Sequence, residues 1–129
     1  MYKIDNKLIK TYNPHLYITK INGSNAIANL TIFLINEYKK KNNIDKINLL
    51  DIGGGKGWGK VLYDNKNINY YCLDLKETKR SCNINYIKGD ITDENLEIDN
   101  KFDIIFSKDT FEHILNPWDA TKNLKNLIF

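Results

Sequence analysis

The sequence predicts an α/β protein in which helices cover both faces of a mainly parallel sheet, and three observations carry that expectation. Four short, almost wholly apolar runs recur at residues 47–52, 70–75, 84–87 and 102–107. Runs of this kind suit strands buried on both faces, the usual condition of parallel sheets. Turn-and-helix material separates them, as crossover connections require. Each run also ends in polar, acidic or glycine-rich residues: the glycine turn at 51–57, Asp74, Gly89-Asp90-Ile91, and Ser107-Lys108-Asp109. Open α/β sheets bind ligands at the carboxyl ends of their strands.

Residues 1–23 are mixed in character, with turn signals at Asn13-Pro14 and Asn22-Gly23, and are expected to form an irregular arm ahead of one domain over 24–129. Ser24 can cap a helix whose apolar stripe is Ile27, Leu30, Leu34, Ile35 and Tyr38. The first strand follows at 47–52 and a helix at 57–64. After the second strand only residues 76–83 remain before the third, too few for the dozen or so that a parallel crossover usually takes. A reduced helix or loop around 77–81 is expected there. Beyond the fourth strand, helical material at 110–115 gives way to Asn116-Pro117, an N-cap and first-turn pair that restarts a helix through Trp118, Leu124 and Leu127. No stop signal precedes Phe129, so this helix is expected to be still running there.

Composition narrows the class further. Hydrophobic residues make up 42% and charged residues 27% of the 129, ordinary values for one soluble globular core. No run approaches the ~18 apolar residues of a membrane span, and residues 1–10 lack the apolar core of a signal peptide, so the expected location is cytoplasmic with no membrane partner. Cys72 and Cys82 show no CxxC spacing and are expected as buried or half-buried thiols. The net charge of +3 comes from thinly spread lysines, a solvating surface that leaves a nucleic-acid partner without support. Lys39, Lys40 and Lys41 complement a helix carboxyl end. No His, Cys or acid spacing suggests a metal site, and no Ser-His-Asp arrangement stands out.

The segment Leu49-Leu50-Asp51-Ile52-Gly53-Gly54-Gly55-Lys56-Gly57 ends a buried strand in an acid and then strips the chain of side chains before a helix. A bare backbone can turn sharply, approach a ligand and aim its amides at it. Alone, a tight strand-to-helix turn would explain the pattern equally well. Asp74, 17 residues past Gly57, changes the balance, because a carboxylate at the next strand end can take both ribose hydroxyls of a nucleoside.

With these residues in place, the chain resembles the class I S-adenosylmethionine-dependent methyltransferases of the small-molecule type over roughly residues 47–127. Asp51-Ile52-Gly53-Gly54-Gly55-Lys56-Gly57 fits the DxGxGxG loop of that family. Tyr71-Cys72-Leu73-Asp74 is similar to its acidic second-strand end, Lys88-Gly89-Asp90-Ile91 to its adenine segment, and 102–106 with Phe111-Glu112-His113-Ile114 to its fourth strand and following helix. The resemblance implies a Rossmann-like three-layer sandwich with strand order 3-2-1-4. The family's later strands are not found in the sequence, which reads as a C-terminally shortened domain. Its fourth strand is expected as an exposed edge, open to a partner chain or self-association.

The resemblance also implies roles. Gly53, Gly55 and Gly57, with Gly54 between them, would pass under the methionine part of S-adenosylmethionine, whose product is S-adenosylhomocysteine. Asp51 would help place its amino group. Asp74, beside Leu75, would hold the ribose, while Asp90 accepts from the adenine amino group and Ile91 flanks the ring. Backbone groups near Ser107 and Lys108 would face the methionine end. Trp58 is a lid or a core tryptophan. His113, near the mouth, is the candidate to accept a substrate proton, although a helix histidine bonded near Glu112 is the plainer reading; His15 has no role assigned. Asp51, Asp74, Asp90, Asp109 and Glu112 suit a sulfonium cation better than a dinucleotide phosphate. In the pattern GxGxxG, Trp58 or Lys60 stands where the third glycine belongs. The methyl acceptor is not identified. Two alternatives remain beside a methyltransferase: a non-catalytic nucleoside-binding module working with a partner, and an NAD-type oxidoreductase.

Overall fold

The computed structural model describes residues 23–54, 60–76, 79, 81–107 and 110–129, with backbone alone for 23–29. Residues 1–22 of the arm expected over 1–23, the tip of the glycine loop with Gly55, Gly57 and Trp58, and the pair Lys108 and Asp109 lie outside the described residues, while Gly23 already belongs to a helix. Helix α1 (Gly23–Asn42) leads into strand β1 (Ile47–Ile52). Then come α2 (Lys60–Tyr63), β2 (Ile68–Asp74), β3 (Ile84–Lys88), β4 (Ile104–Ser107), a 3-10 turn (Phe111–His113) and α3 (Pro117–Leu127). The four strands form one parallel sheet in the order β3-β2-β1-β4, the predicted order.

The most apolar strand sits in the middle. Leu49 and Leu50 point to opposite faces and neither is exposed to solvent. On one face Ile47, Leu49, Ile68, Tyr70 and Cys72 pack with Ile35 of α1 and Leu62 of α2. On the other, Leu50, Ile52 and Leu73 pack with Phe102, Ile91 and with Ala120 and Leu127 of α3. Two core layers on either side of the sheet make the expected three-layer sandwich.

The long connection between β3 and β4 has no helix. It folds as consecutive turns, with Asp93 donating to the Asp90 carbonyl and Leu96 to that of Asp93. The Asn123 side chain on α3 pins it by donating to the carbonyls of Ile91 (2.7 Å) and Asp93 (2.8 Å). At the amino ends of the strands, the Asp103 carboxylate accepts from the Asn48 amide at 2.8 Å and fixes the start of β4 against β1.

Several expectations need correction. The buried stripe of α1 is Thr31, Ile35 and, half-buried, Tyr38, whereas Leu30 and Leu34 are exposed; the helix is rotated from the apolar reading because Ile35 must meet β1. Helical material at 110–115 shrinks to a single 3-10 turn. Asn116 stands at the N-cap of α3, but its side chain bonds Asp119 (2.5 Å) and caps no backbone amide. Cys82 is exposed, since the turn before β3 carries it outward; Cys72 is buried as expected. Finally, α3 ends at Leu127. Phe102 donates to the Leu127 carbonyl and accepts from the Phe129 amide, forming a parallel bridge with Ile128. Asp103 donates to Asn48 of β1, so residues 127–129 flank the opposite side of the chain entering β4.

Candidate functional site

The carboxyl ends of β1, β2 and β3 meet around one cavity of about 120 Å³, lined by residues that include Gly53, Asp74, Leu75, Asp90 and Ile91, with Thr110 and Ile114 from the segment beyond β4. Sites for whole small-molecule ligands are usually roughly 300–1,000 Å³. These residues therefore form a floor and not a complete site.

At the end of β1 the chain bends at Gly53, whose φ of +73° lies in the left-handed region that glycine alone adopts freely. Its amide donates to the Leu73 carbonyl at 2.8 Å, tying the bend to β2. A Cβ at Gly53 would sit 2.3 Å from Oγ1 of Thr110, and one at Gly54 would sit 2.2 Å from Oδ2 of Asp51. The space that glycine leaves at these two positions is thus taken by the protein's own side chains. The Thr110 hydroxyl donates to the Ile52 carbonyl at 3.1 Å, and that of Ser107 reaches the same oxygen at 3.4 Å. Two hydroxyls following β4 thereby brace the turn that follows β1.

Asp51 is the one buried acid among the described residues, 1% exposed. Its Oδ2 accepts from the Tyr70 hydroxyl, while Oδ1 has no hydrogen-bond partner among the described residues. Burial pushes its carboxyl up to about 6; the Tyr70 bond pulls it down and the nearby Asp74 charge adds to the rise. Burial, with the Asp51 charge beside it, pushes the Tyr70 hydroxyl well above its ordinary value and keeps it a donor. Asp74 is the last residue of β2, half-buried at the cavity wall. Asp90 is exposed and its Oδ1 accepts from the amide (2.8 Å) and hydroxyl (2.7 Å) of Thr92, bonds that hold it below the usual carboxylate range.

Gly53, Asp74, Leu75, Asp90 and Ile91 are thus brought together, with Gly54 and Asp51 beside them beneath the bend. Ser107 lines a separate apolar groove with Ile105, Phe106, Phe111, Leu124 and Ile128, next to the outer strand β4. His113 is exposed on the 3-10 turn, 3.8 Å from Glu112, and does not line the cavity. Sequence reasoning missed Tyr70, Thr110, Ile114 and Asn123. Each acts from an element distant in sequence, so strand register and helix docking had to be known before it could be found.

The family model described as "Methyltransferase domain" matches residues 50–128, more than half of the 129-residue chain. The chain belongs to that family. No curated protein matches the sequence. Among solved structures, the plantazolicin methyltransferase BpumL, in complex with a pentazolic desmethylPZN analog and SAH, is 16% identical. Its TM-score is 0.65, over 93% of this chain and 49% of that one. The related plantazolicin methyltransferase BamL, in complex with a triazolic desmethylPZN analog and SAH, is 21% identical with a TM-score of 0.63 over 96% and 47%. Coclaurine N-methyltransferase, bound to N-methylheliamine and SAH, is 21% identical with a TM-score of 0.54 over 75% and 32%. At these identities the likeness is one of fold. The chain spans between a third and a half of the length of these structures.

In a methyltransferase domain, the arrangement at the strand ends presents the acids Asp74 and Asp90 to a ligand around an apolar floor. Leu73, Ile91 and Ile114 supply that floor. No described residue of the cavity is a base positioned against an open reaction space, and positioning with water exclusion can supply much of the acceleration of a displacement reaction.

Proposed function

We propose that this chain binds S-adenosylmethionine across the carboxyl ends of β1, β2 and β3 and serves methyl transfer to an acceptor still to be identified. The single observation that carries the reading is Asp51: a buried carboxylate with one oxygen that has no partner among the described residues, under a glycine bend, in a chain of the methyltransferase family. A buried unpartnered oxygen calls for a donor, and a ligand ammonium group fits it. When bound, S-adenosylmethionine supplies an electrophilic methyl group on a sulfonium centre. Asp74 would hold the ribose hydroxyls, and the acids together favour a cationic ligand over a phosphate. Ile91 would flank the adenine and Asp90, through the oxygen not bonded to Thr92, would accept from its amino group. Gly53 and Gly54, continuing to Gly55 and Gly57, would carry the backbone past the methionine part, with Leu75 and the Ser107 backbone at the rim.

His113, exposed on the 3-10 turn beside Glu112, is the candidate proton acceptor. The exposed Cys82 thiol suits a reducing, cytoplasmic compartment. No helix among the described residues is long and apolar enough to cross a membrane. The outer strand β4 and its apolar groove are where a partner chain or second copy would add. The family match favours neither the oxidoreductase nor the non-catalytic alternative.

Calorimetric titration with S-adenosylhomocysteine, S-adenosylmethionine and NAD tests the binding. Both adenosyl ligands are expected to bind and NAD not to. Asp74→Ala should weaken binding about tenfold or more, the scale of a lost hydrogen bond to a charged group. Binding of NAD alone, or an Asp74→Ala protein with unchanged affinity, would overturn the reading.

A further inference from the structure

We propose that Tyr70 is a positioning residue for Asp51: its buried hydroxyl claims one carboxylate oxygen and thereby reserves the other for the ammonium group of the ligand. The proposal rests on the S-adenosylmethionine reading above and adds to it a residue from the neighbouring strand.

Register explains how the pair forms. Asp51 lies opposite Cys72, so Tyr70, two residues earlier on β2, shares its face as a diagonal neighbour. Diagonal neighbours in a sheet stand ~7–8 Å apart at Cα, a gap that a tyrosine spans and shorter side chains do not. The ring is fixed before any ligand arrives. Tyr70 is 2% exposed and meets the edge of Tyr63 on α2 with centroids 5.6 Å apart at 69°. Its hydroxyl donates to Oδ2 of Asp51.

The same oxygen is the more crowded from the other side, because a Cβ on Gly54 would lie 2.2 Å from it and 3.1 Å from Oδ1. Oδ2 is therefore held between a tyrosine hydroxyl and the backbone of the bend, and no ligand can reach it without displacing one of them. Oδ1 keeps no partner among the described residues. A carboxylate free to rotate could turn either oxygen to a new donor, whereas here Oδ2 is taken and Oδ1, buried as well, is the one left without a donor among the described residues. Ordering the group in advance lowers the cost of binding.

The ionisable groups that act on Asp51 are Tyr70 and Asp74. Burial raises the carboxyl, Asp74 raises it further, and the Tyr70 bond opposes both by stabilising the charged form. Tyr70 thus favours the ionised state that an ammonium ligand needs, as well as setting the orientation.

The test is calorimetric titration of the unaltered chain, Tyr70→Phe, Asp51→Asn and the double variant with S-adenosylhomocysteine from pH 5 to 8.5, with thermal melting of each. The unaltered chain should lose affinity on acidification with a midpoint of about 6. Tyr70→Phe should move that midpoint upward and weaken binding about tenfold at pH 7, the scale of one hydrogen bond to a charged group. In the Asp51→Asn background the same change should alter affinity less than about twofold, because the group it positions is gone. Tyr70→Phe with a lower melting point but the original midpoint and affinity would overturn the proposal and leave the donor reading standing. Failure of the unaltered chain to bind at any pH would sink both. Should Tyr70→Phe not fold, the Tyr70 hydroxyl proton of the unaltered chain is followed by NMR. A downfield, slowly exchanging signal that shifts on ligand saturation is expected, and a signal indifferent to ligand overturns the proposal.

Discussion

Asp51 carries opposed demands in a single residue: its backbone continues the central strand, while its carboxylate sits 1% exposed with one oxygen unpartnered among the described residues. Its carboxyl is raised from 3.8 to about 6, first by burial. Between those values the folded chain keeps a proton that the unfolded chain has released, so stability falls as pH rises. The contribution is fully present below about pH 4 and gone above about pH 6. A shift of two units corresponds to about 3 kcal/mol. Asp51→Asn, which keeps an acceptor for Tyr70 without the charge, should therefore gain about 1–3 kcal/mol at pH 7.5 and flatten the stability profile between pH 4 and 6. Urea unfolding across that range measures it, and a loss of stability would mean that the carboxylate already has a stabilising partner in the free protein. At this scale the sequence showed which residues gather but not why. Asp74 and Ile91 were legible because strand ends mark ligand sites, and Gly53 and Gly54 because glycine marks a bend. That Thr110 fills the space beside Gly53 depends on a side chain from beyond β4 meeting the end of β1, and that the Asp51 carboxylate lies beside Gly54 depends on how the turn folds back, neither of which residue spacing records.

Elements were legible where a strong local pattern and the tertiary demand agree. Strand β1 announces itself through unbroken apolarity, and its central place follows, since only an inner strand can bury both faces. Helix α1 was legible as a helix but not in its rotation: Leu30 and Leu34 belong to the apolar pattern yet stay exposed, while Thr31 is buried. Of the connection from β3 to β4, only the start, Gly89-Asp90-Ile91, was legible in the sequence. Its shape depends on Asn123, a residue of α3 more than 30 positions away, whose amide serves two carbonyls of the turn that carries Ile91 to the cavity. Asn123→Ala should leave both carbonyls without that donor, costing about 1–2 kcal/mol in denaturant unfolding, with a few-fold weaker binding of S-adenosylhomocysteine as Ile91 loses its anchor. Unchanged stability and unchanged affinity together would show that the turn holds itself.

For the whole molecule, the sheet order places stability unevenly. β1 and β2 occupy the interior, with Leu49 and Leu50 wholly buried, whereas every residue of β3 is at least partly exposed. β4 is flanked on its inner side by β1, and residues 127–129 pair only with the segment leading into it. Amides open to solvent through local fluctuations where few apolar contacts hold them, and through global unfolding where many do. Amide hydrogen exchange should therefore be slowest at Leu49, Leu50 and Ile52 and at the facing residues of β2, and faster by at least about tenfold across β3. The site spans this gradient: Gly53 and Asp74 extend from the slow strands, whereas Asp90 and Ile91 follow the fast one. Ligand binding at the strand ends should consequently slow exchange most in residues 88–93, the part with freedom left to lose. Uniform protection across the four strands in the free protein, or protection on ligand binding confined to β1, would contradict this division of the sheet into a rigid half that sets the geometry and a softer half at the proposed nucleoside site.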